Sequence, residues 1–304
     1  MQASHKLPSR YNLESSLGTG GFGEVYKAYD TKLAKVVAVK ILTNINPASQ
    51  LAIKKEFEVL SKVIHPHLVN VYDFGFISDG VPYFTMEYID GEDLKKFLSA
   101  PNSSKYILRI IDQILQALGY LHEKEIIHGD IKPENIFISN STNRISVKIL
   151  DFGLASTFED TITQTSGTPR FIAPEVLSNQ PHSPSSDLYS LGMSIIESLT
   201  KEQVPDVLEI SSSFYNNYQN IISNIFTANS IPNPSSLTSF IFSLCDQDQA
   251  NRPENAMNAL KRFKVIVDIS SHDLTHRLDE IFIDREWELE LITAFVDRNN
   301  TDTR

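Results

Sequence analysis

Positive charge is in short supply in this chain: 27 lysines and arginines stand against 38 aspartates and glutamates, a formal net charge of −11. Phosphate-backbone binding is carried by clustered Lys and Arg, and no such cluster occurs, which excludes a general nucleic-acid role. Cysteine is nearly absent too. The lone Cys245 cannot form an internal disulfide, which suits a reducing compartment, and its setting in SFIFSLC reads as a small buried apolar residue. No run approaches the ~18 apolar residues of a membrane span, and the opening MQASHKLPSRYNLE lacks the apolar centre of a signal peptide. The expectation is a cytoplasmic protein with no membrane segment. At 304 residues and 41% hydrophobic content, the chain can bury a large core and divide it between two lobes.

The opening half reads as strands. Tyr11 to Leu17, Gly23 to Tyr29 and Lys35 to Leu42 are β-branched and aromatic segments parted by glycine-rich or polar turns, as in an antiparallel meander. A helix is expected over QLAIKKEFEVLSKVI, capped by Ser49, with Ile53, Phe57, Leu60 and Ile64 in one stripe. LVNVYDFGFI and VPYFTMEYI flank Ser78-Asp79-Gly80 as a hairpin would. Beyond Gly91 helical periodicity takes over. In KYILRIIDQILQALGYLHEKE the residues Ile107, Ile110, Ile111, Ile114, Leu118 and Leu121 mark one broad buried face. The Asn- and Ser-rich stretches SNSTNRIS and Ser211 to Ser236 read as containing loops.

Several residues carry chemistry. Gly18-x-Gly20-x-x-Gly23 lies between two expected strands, where missing Cβ atoms let backbone N–H groups approach phosphate; alone it is equally a plain glycine-rich hairpin. Val25, just beyond, is placed to cover a base. Lys40 of AVKIL is an ammonium in an apolar strand and needs an anionic partner. Glu56, at the edge of the apolar side of its helix, is the candidate, whereas Glu58 is turned away. In IIHGDIKPENIFI and VKILDFGLA, Asp130, Lys132, Asn135 and Asp151 lie on short loops between apolar segments. Two carboxylates, an amide and a lysine supply what phosphoryl transfer needs: oxygen ligands for Mg²⁺, a cation on the moving phosphate, and a carboxylate to orient the attacking hydroxyl. Any one Asp on a loop is more often a turn residue.

Taken in order, GTGGFGEV, AVK, HGDIKPEN, DFG and APE resemble the Hanks-type, eukaryotic-like serine/threonine protein kinases over about Tyr11 to Phe263, and HPHLVNVYDFG and PYFTMEYIDGEDL look most like the bacterial members. The resemblance implies an α+β, bilobal protein kinase fold. Its small antiparallel N-lobe with one main helix would span about residues 7–88, and its larger helical C-lobe about 91–264. It implies transfer of the γ-phosphate of ATP, with Mg²⁺ and with Mn²⁺ able to substitute, to Ser/Thr hydroxyls of protein substrates. By the same resemblance Gly18, Gly20, Gly21 and Gly23 cover the phosphates, and Lys40, held by Glu56, contacts them. Met86 resembles the gatekeeper, the backbone of Glu87 and Ile89 would hold adenine, and Asp93 would meet ribose. Leu17, Val25, Ala38 and Phe137 complete the nucleotide-binding set. Asp130 resembles the catalytic aspartate, Lys132 the γ-phosphate lysine, and Asn135 and Asp151 the metal ligands. Glu175 resembles the partner of Arg252, Asp187 the brace of the catalytic loop, and His128 and Phe152 internal packing. Lys132 and Thr168 follow the serine/threonine pattern.

The sequence departs from that pattern at Gly129, where many members carry an arginine that would pair with a phosphorylated activation loop. Hydroxyls at Thr161, Thr163, Thr165 and Ser166 would lack that receiver, so control is expected elsewhere or through Arg170. Phe171 replaces a common tyrosine. Residues 265–304 read as a linker with an amphipathic helix over about 285–297, whose Trp287, Leu291 and Phe295 recur at i, i+4, i+8. FIDREWELELITAF resembles the start of ATPase modules, so a downstream ATPase or sensor module would follow if the chain is a fragment. The alternative from another class is a pseudokinase, a nucleotide-binding scaffold without turnover; a small-molecule kinase of related fold is a further rival.

Overall fold

The sheet forms where β-branched and aromatic residues cluster. In the computed structural model, which describes residues 7–20, 23–43, 57, 61–77, 80–141, 144–150, 169–210 and 212–271, β1 is Tyr11–Gly20, β2 Gly23–Asp30, β3 Lys35–Leu42, β4 Val71–Phe76 and β5 Pro82–Glu87. All neighbours pair antiparallel in the order β1-β2-β3-β5-β4. β1 runs three residues past the expected Leu17. Alternation decides the faces: Val37, Val39 and Ile41 point into a core with Tyr11, Ala28, Ile77 and Tyr83. The other face is left to Ala38 and Lys40. The expected hairpin closes with Gly80 at φ +74°, its N–H donating to the Ile77 carbonyl. Of the helix expected over residues 50–64, Phe57 is described and helical, its ring centre 5.4 Å from that of Phe74, whereas residues 61–64 are turn and coil, so Ile64 falls beyond the helix; Glu56 lies outside the described residues.

These strands belong to one compact unit, built on the chain up to Ile64 and from Val69 to Asp90. A second unit holds His65–Leu68 and, among the described residues, those from Gly91 onward. Its helices are α1 Leu94–Ser99, α2 Ile107–Glu123, α3 Pro174–Leu177, α4 Pro184–Thr200, α5 Ser212–Ala228, α6 Pro234–Leu244 and α7 Ala256–Ser271. The strands β6 Glu92–Asp93, β7 Ile136–Ser141 and β8 Arg144–Ile149 form its small antiparallel sheet. All six residues of the expected α2 stripe are fully buried. A buried amide sets the register of α2 on the sheet: Gln113 Nε2 donates to the Ile145 carbonyl at 3.2 Å, and its Oε1 accepts the Val147 N–H at 2.8 Å. Both amide ends are satisfied, so burial of this polar group costs little.

The Asn- and Ser-rich span from Ser211 holds the expected loop between α5 and α6, yet loop is its smaller part. Most of it is helix α5, because Phe214, Tyr218, Ile222 and Phe226 recur every four residues and Phe214, Ile222 and Phe226 are buried. Polar composition describes only its outer face. SNSTNRIS gives the end of β7 and the start of β8, and Thr142 and Asn143 lie outside the described residues. No described helix is long and apolar enough to cross a membrane. Cys245 is buried, and burial pushes its thiol up to about 12, so it stays protonated and inert.

His65–Leu68 is tied to β8 by a parallel bridge of Leu68 to Ile149 and by the His67 Nδ1 contact to the Val147 carbonyl at 3.1 Å. The His65 ring stacks on Tyr120 at 5.2 Å. Burial, then the charges of His67 and Lys148, pull His65 down to about 3; burial also pulls His67 to about 4 against the opposing Val147 hydrogen bond. Both folded values lie below that of an unfolded histidine, so the unfolded chain alone takes up these protons as pH falls below about 6.5. Stability is complete above that pH and declines toward 4, by roughly 2 kcal/mol for each histidine at pH 5. Urea unfolding at pH 7.5 and pH 5 should show His65→Phe losing less than the parent on acidification. An equal loss in both proteins would contradict the burial of a neutral His65.

Candidate active site

The first unit positions a set of side chains through strand register. Lys40 lies opposite Val25 and Phe84, and Ala38 opposite Lys27 and Met86, and directly opposed residues share a face. Val25, Ala38, Lys40 and Met86 are thereby brought onto the side of the sheet away from the Val37-Val39-Ile41 core. Lys40 is 8% exposed, and its Nζ lies 5.8 Å from the centre of the Phe84 ring, whose face attracts a cation. Glu87 gives its N–H to the Asn70 carbonyl at 2.8 Å, and its carboxylate accepts from the Asn70 amide at 3.1 Å. Ile89 follows β5 and is half-buried.

The glycines separate by role. A Cβ on Gly23, at φ +146°, would stand 1.9 Å from the Ile41 carbonyl oxygen, so this position demands glycine for the approach of β2 to β3 whatever else it does. Gly18 faces open space. Gly20 pairs with Gly23 across the β1–β2 turn, Leu17 sits half-exposed at a β-bulge, and Gly21 lies outside the described residues.

In the second unit the loop between α2 and β7 gathers three predicted residues around one oxygen. Lys132 Nζ donates to Asp130 Oδ2 at 2.6 Å, and Asn135 Nδ2 donates to the same oxygen at 2.9 Å and to the Asp130 carbonyl at 2.8 Å. A short 3-10 turn, Pro133–Asn135, makes this possible by folding Asn135 back toward Asp130. Asn135 is buried, whereas Asp130 and Lys132 each keep about a third of their side-chain surface exposed. Asp151, Phe152 and Thr168 lie outside the described residues. Phe137 is half-buried on β7 opposite Asp93. Asp93 also caps α1, its Oδ1 accepting the Lys96 N–H at 2.8 Å.

Asp187, in the first turn of α4, holds this loop from below. Its Oδ2 accepts the His128 N–H and its Oδ1 the Gly129 N–H, both at 2.9 Å, while His122 Nε2 lies 3.0 Å from Oδ2. Burial alone would push this carboxyl up, but the hydrogen bond and charge of His122, with His128 and Gly129, outweigh it and hold the group below the ordinary carboxylate range. His122 Nδ1 accepts the Ala256 N–H at 3.2 Å, so the proton sits on Nε2 and points at Asp187. His128 is solved the same way: Nδ1 accepts the Asp130 N–H and Nε2 meets the Leu150 carbonyl at 2.9 Å. Fully buried with both nitrogens engaged, it is a structural residue. His122 escaped sequence reasoning, since nothing local marks a partner 65 positions away.

Two further observations bear on Gly129 and its surroundings. Its φ is +75°, a left-handed conformation that glycine adopts at no steric cost and a side chain resists by about 1 kcal/mol. Arg170 is engaged by the buried Glu197 at 3.2 Å, a carboxylate that also takes Lys95 at 2.7 Å and the Val204 N–H. The anticipated Glu175–Arg252 pair is bidentate, at 2.7 and 2.8 Å.

Known proteins resemble this arrangement in sequence and in fold. A probable serine/threonine-protein kinase of Streptomyces coelicolor is 38% identical over 214 residues, which is 66% of this chain and 31% of that protein. PknB, a serine/threonine-protein kinase of Mycolicibacterium smegmatis, is 37% identical over 216 residues, 66% of this chain and 34% of that protein. The chain spans about a third of the length of these curated relatives. The PknI kinase domain of Mycobacterium tuberculosis covers 87% of this chain and 99% of its own at a TM-score of 0.64 and 20% identity, which establishes a bilobal fold with an antiparallel N-lobe and a helical C-lobe. Residues 11–263 match the family described as protein kinase domain, and on that match the chain belongs to the protein kinases.

Proposed function

We propose that this chain is an ATP- and Mg²⁺-dependent protein kinase that transfers the γ-phosphate to serine or threonine hydroxyls of protein substrates in the cytoplasm, through a domain spanning residues 7–264. The observation that carries the reading is the Asp130 carboxylate, gripped through Oδ2 by both Lys132 and Asn135. Both bonds end on one oxygen, so Oδ1 is the atom to orient an incoming hydroxyl. Lys132, already within 2.6 Å of Asp130, brings a positive charge to where the moving phosphate would arrive. Lys40 would bind the other phosphates, and the face it shares with Val25, Ala38 and Met86 would receive the base.

The donor set fits a hard cation. Asn135 spends Nδ2 on Asp130 and leaves Oδ1, the oxygen such an ion takes, outside those bonds. With Asp151 it would hold Mg²⁺, or Mn²⁺ in its place, which neutralises charge on the phosphate oxygens. The relatives named above as serine/threonine kinases, together with Lys132 two residues after Asp130, support serine or threonine as the acceptor.

Incubating the chain with ATP labelled at the γ-phosphate, Mg²⁺ and a generic protein substrate such as casein tests this directly. The expected result is labelled phosphoserine and phosphothreonine. Nucleotide binding without any transfer would instead identify a scaffold, and label confined to phosphotyrosine would overturn the acceptor class.

A further inference from the structure

The outer side of α6 and α7 carries a feature that the proposed chemistry does not use. An open groove of about 440 Å³ runs between the two helices, lined by Ser235, Ser239 and Ser243 of α6, Arg262 and Ile266 of α7, and a floor of Phe240. The three serines recur at i, i+4, i+8, so one edge of the groove is a row of short side chains over which another helix could pack closely. Its walls are held in place. Phe240 packs on Phe263 at 5.5 Å beneath the groove, and Asn233 Nδ2 donates to the Ile266 carbonyl at 3.0 Å, joining the start of α6 to α7. Next to Ile266, Val265 is 58% exposed, the most exposed of the large hydrophobic residues among those described, and Arg262 stands exposed at the rim.

We propose that this groove is the docking site for the chain's own C-terminal segment, residues 285–297. Three observations favour that occupant. The first is chemical fit: Trp287, Leu291 and Phe295 form an apolar stripe at helical spacing, matched to Phe240 and Ile266 of the groove. The second is charge, since the segment carries Glu286, Glu288, Glu290 and Asp297 against the single basic Arg285, while the groove offers Arg262 and no carboxylate. At helical periodicity Glu288 and Glu290 flank the stripe, which sets an acidic border against Arg262. The third is reach. α7, which lines the groove with Arg262 and Ile266, ends at Ser271, and the residues from His272 to Asp284 can span roughly 40 Å when extended, against about 14 Å of helix from Arg262 to Ser271. The tether therefore allows either direction along the groove.

The chain has one tryptophan, Trp287, so its fluorescence reports this segment alone. In the full chain, Trp287 should emit as a buried indole and resist acrylamide. Ser239→Arg, which fills the serine row from an exposed position, should raise quenching by roughly threefold or more as the apolar stripe is released to water. Arg262→Glu should act in the same direction by reversing the rim charge, and it provides a second probe if the first variant fails to fold. The proposal is overturned if Trp287 in the parent is quenched as freely as in an unfolded chain. It is equally overturned if Trp287 is protected but neither substitution changes that, because the segment then packs elsewhere. Protection that fades on dilution would place it on a second copy instead.

Discussion

Asp130→Asn is expected to reduce phosphate transfer by about 10²–10⁴-fold, the usual worth of a positioned base. The exchange keeps the size of the side chain and removes its charge, so the amide can still meet Asn135 but can neither accept a proton nor hold Lys132 as an ion pair. Lys132 keeps about a third of its side-chain surface in water, which lets the released ammonium hydrate and limits the cost to folding. Melting temperature should therefore stay near that of the parent while kcat falls. KM for ATP should change little, because the role proposed for Asp130 is toward the attacking hydroxyl rather than the nucleotide. A folded Asp130→Asn protein that turned over within tenfold of the parent would remove Asp130 from the reaction.

Arg252→Ala should cost about 3–5 kcal/mol of stability, the range for breaking one side of a buried ion pair. The guanidinium is fully buried and spends its donors on both Glu175 oxygens, on the Asp246 carbonyl at 2.7 Å and on the Ser185 carbonyl at 3.2 Å, while its plane lies 4.9 Å from the centre of the Tyr189 ring. Alanine leaves a largely buried carboxylate and two carbonyls without that partner. Against a typical domain stability of about 5–15 kcal/mol, this is a large fraction. Urea denaturation should show a lower midpoint with an unchanged slope. The double variant Arg252→Met with Glu175→Gln should recover much of the loss, since the charge that suffers from isolation is gone as well. A loss below about 1 kcal/mol, or additive losses in the double variant, would contradict a pair that is stable only when both ions are present.

The loop between α2 and β7 shows how far sequence reaches. HGDIKPEN names Asp130, Lys132 and Asn135 because they fall within six residues, and a loop that short with a proline at the start of its turn brings them together. The α2 stripe and the strands β2 and β3 are legible for the same reason, since periods of 3.6 and 2 are written into neighbouring residues. Local composition misled where it spoke for only one side of an element, as in α5, whose exposed asparagines and serines hid the four-residue recurrence of Phe214, Tyr218, Ile222 and Phe226.

Sequence by itself determined the order of the motifs, the identity of the chemical groups and most of the secondary structure around them, because each depends on contacts a few residues long. Tertiary structure alone decided that Gly129 sits at a positive φ, that Gly23 is required by the Ile41 carbonyl and that His122 supports Asp187. It also decided that Gln113 sets the register of α2 against β8. His122 and Asp187 lie 65 positions apart and Gln113 and Ile145 lie 32 apart, and no local period encodes a distance that only the packing of one element on another can close.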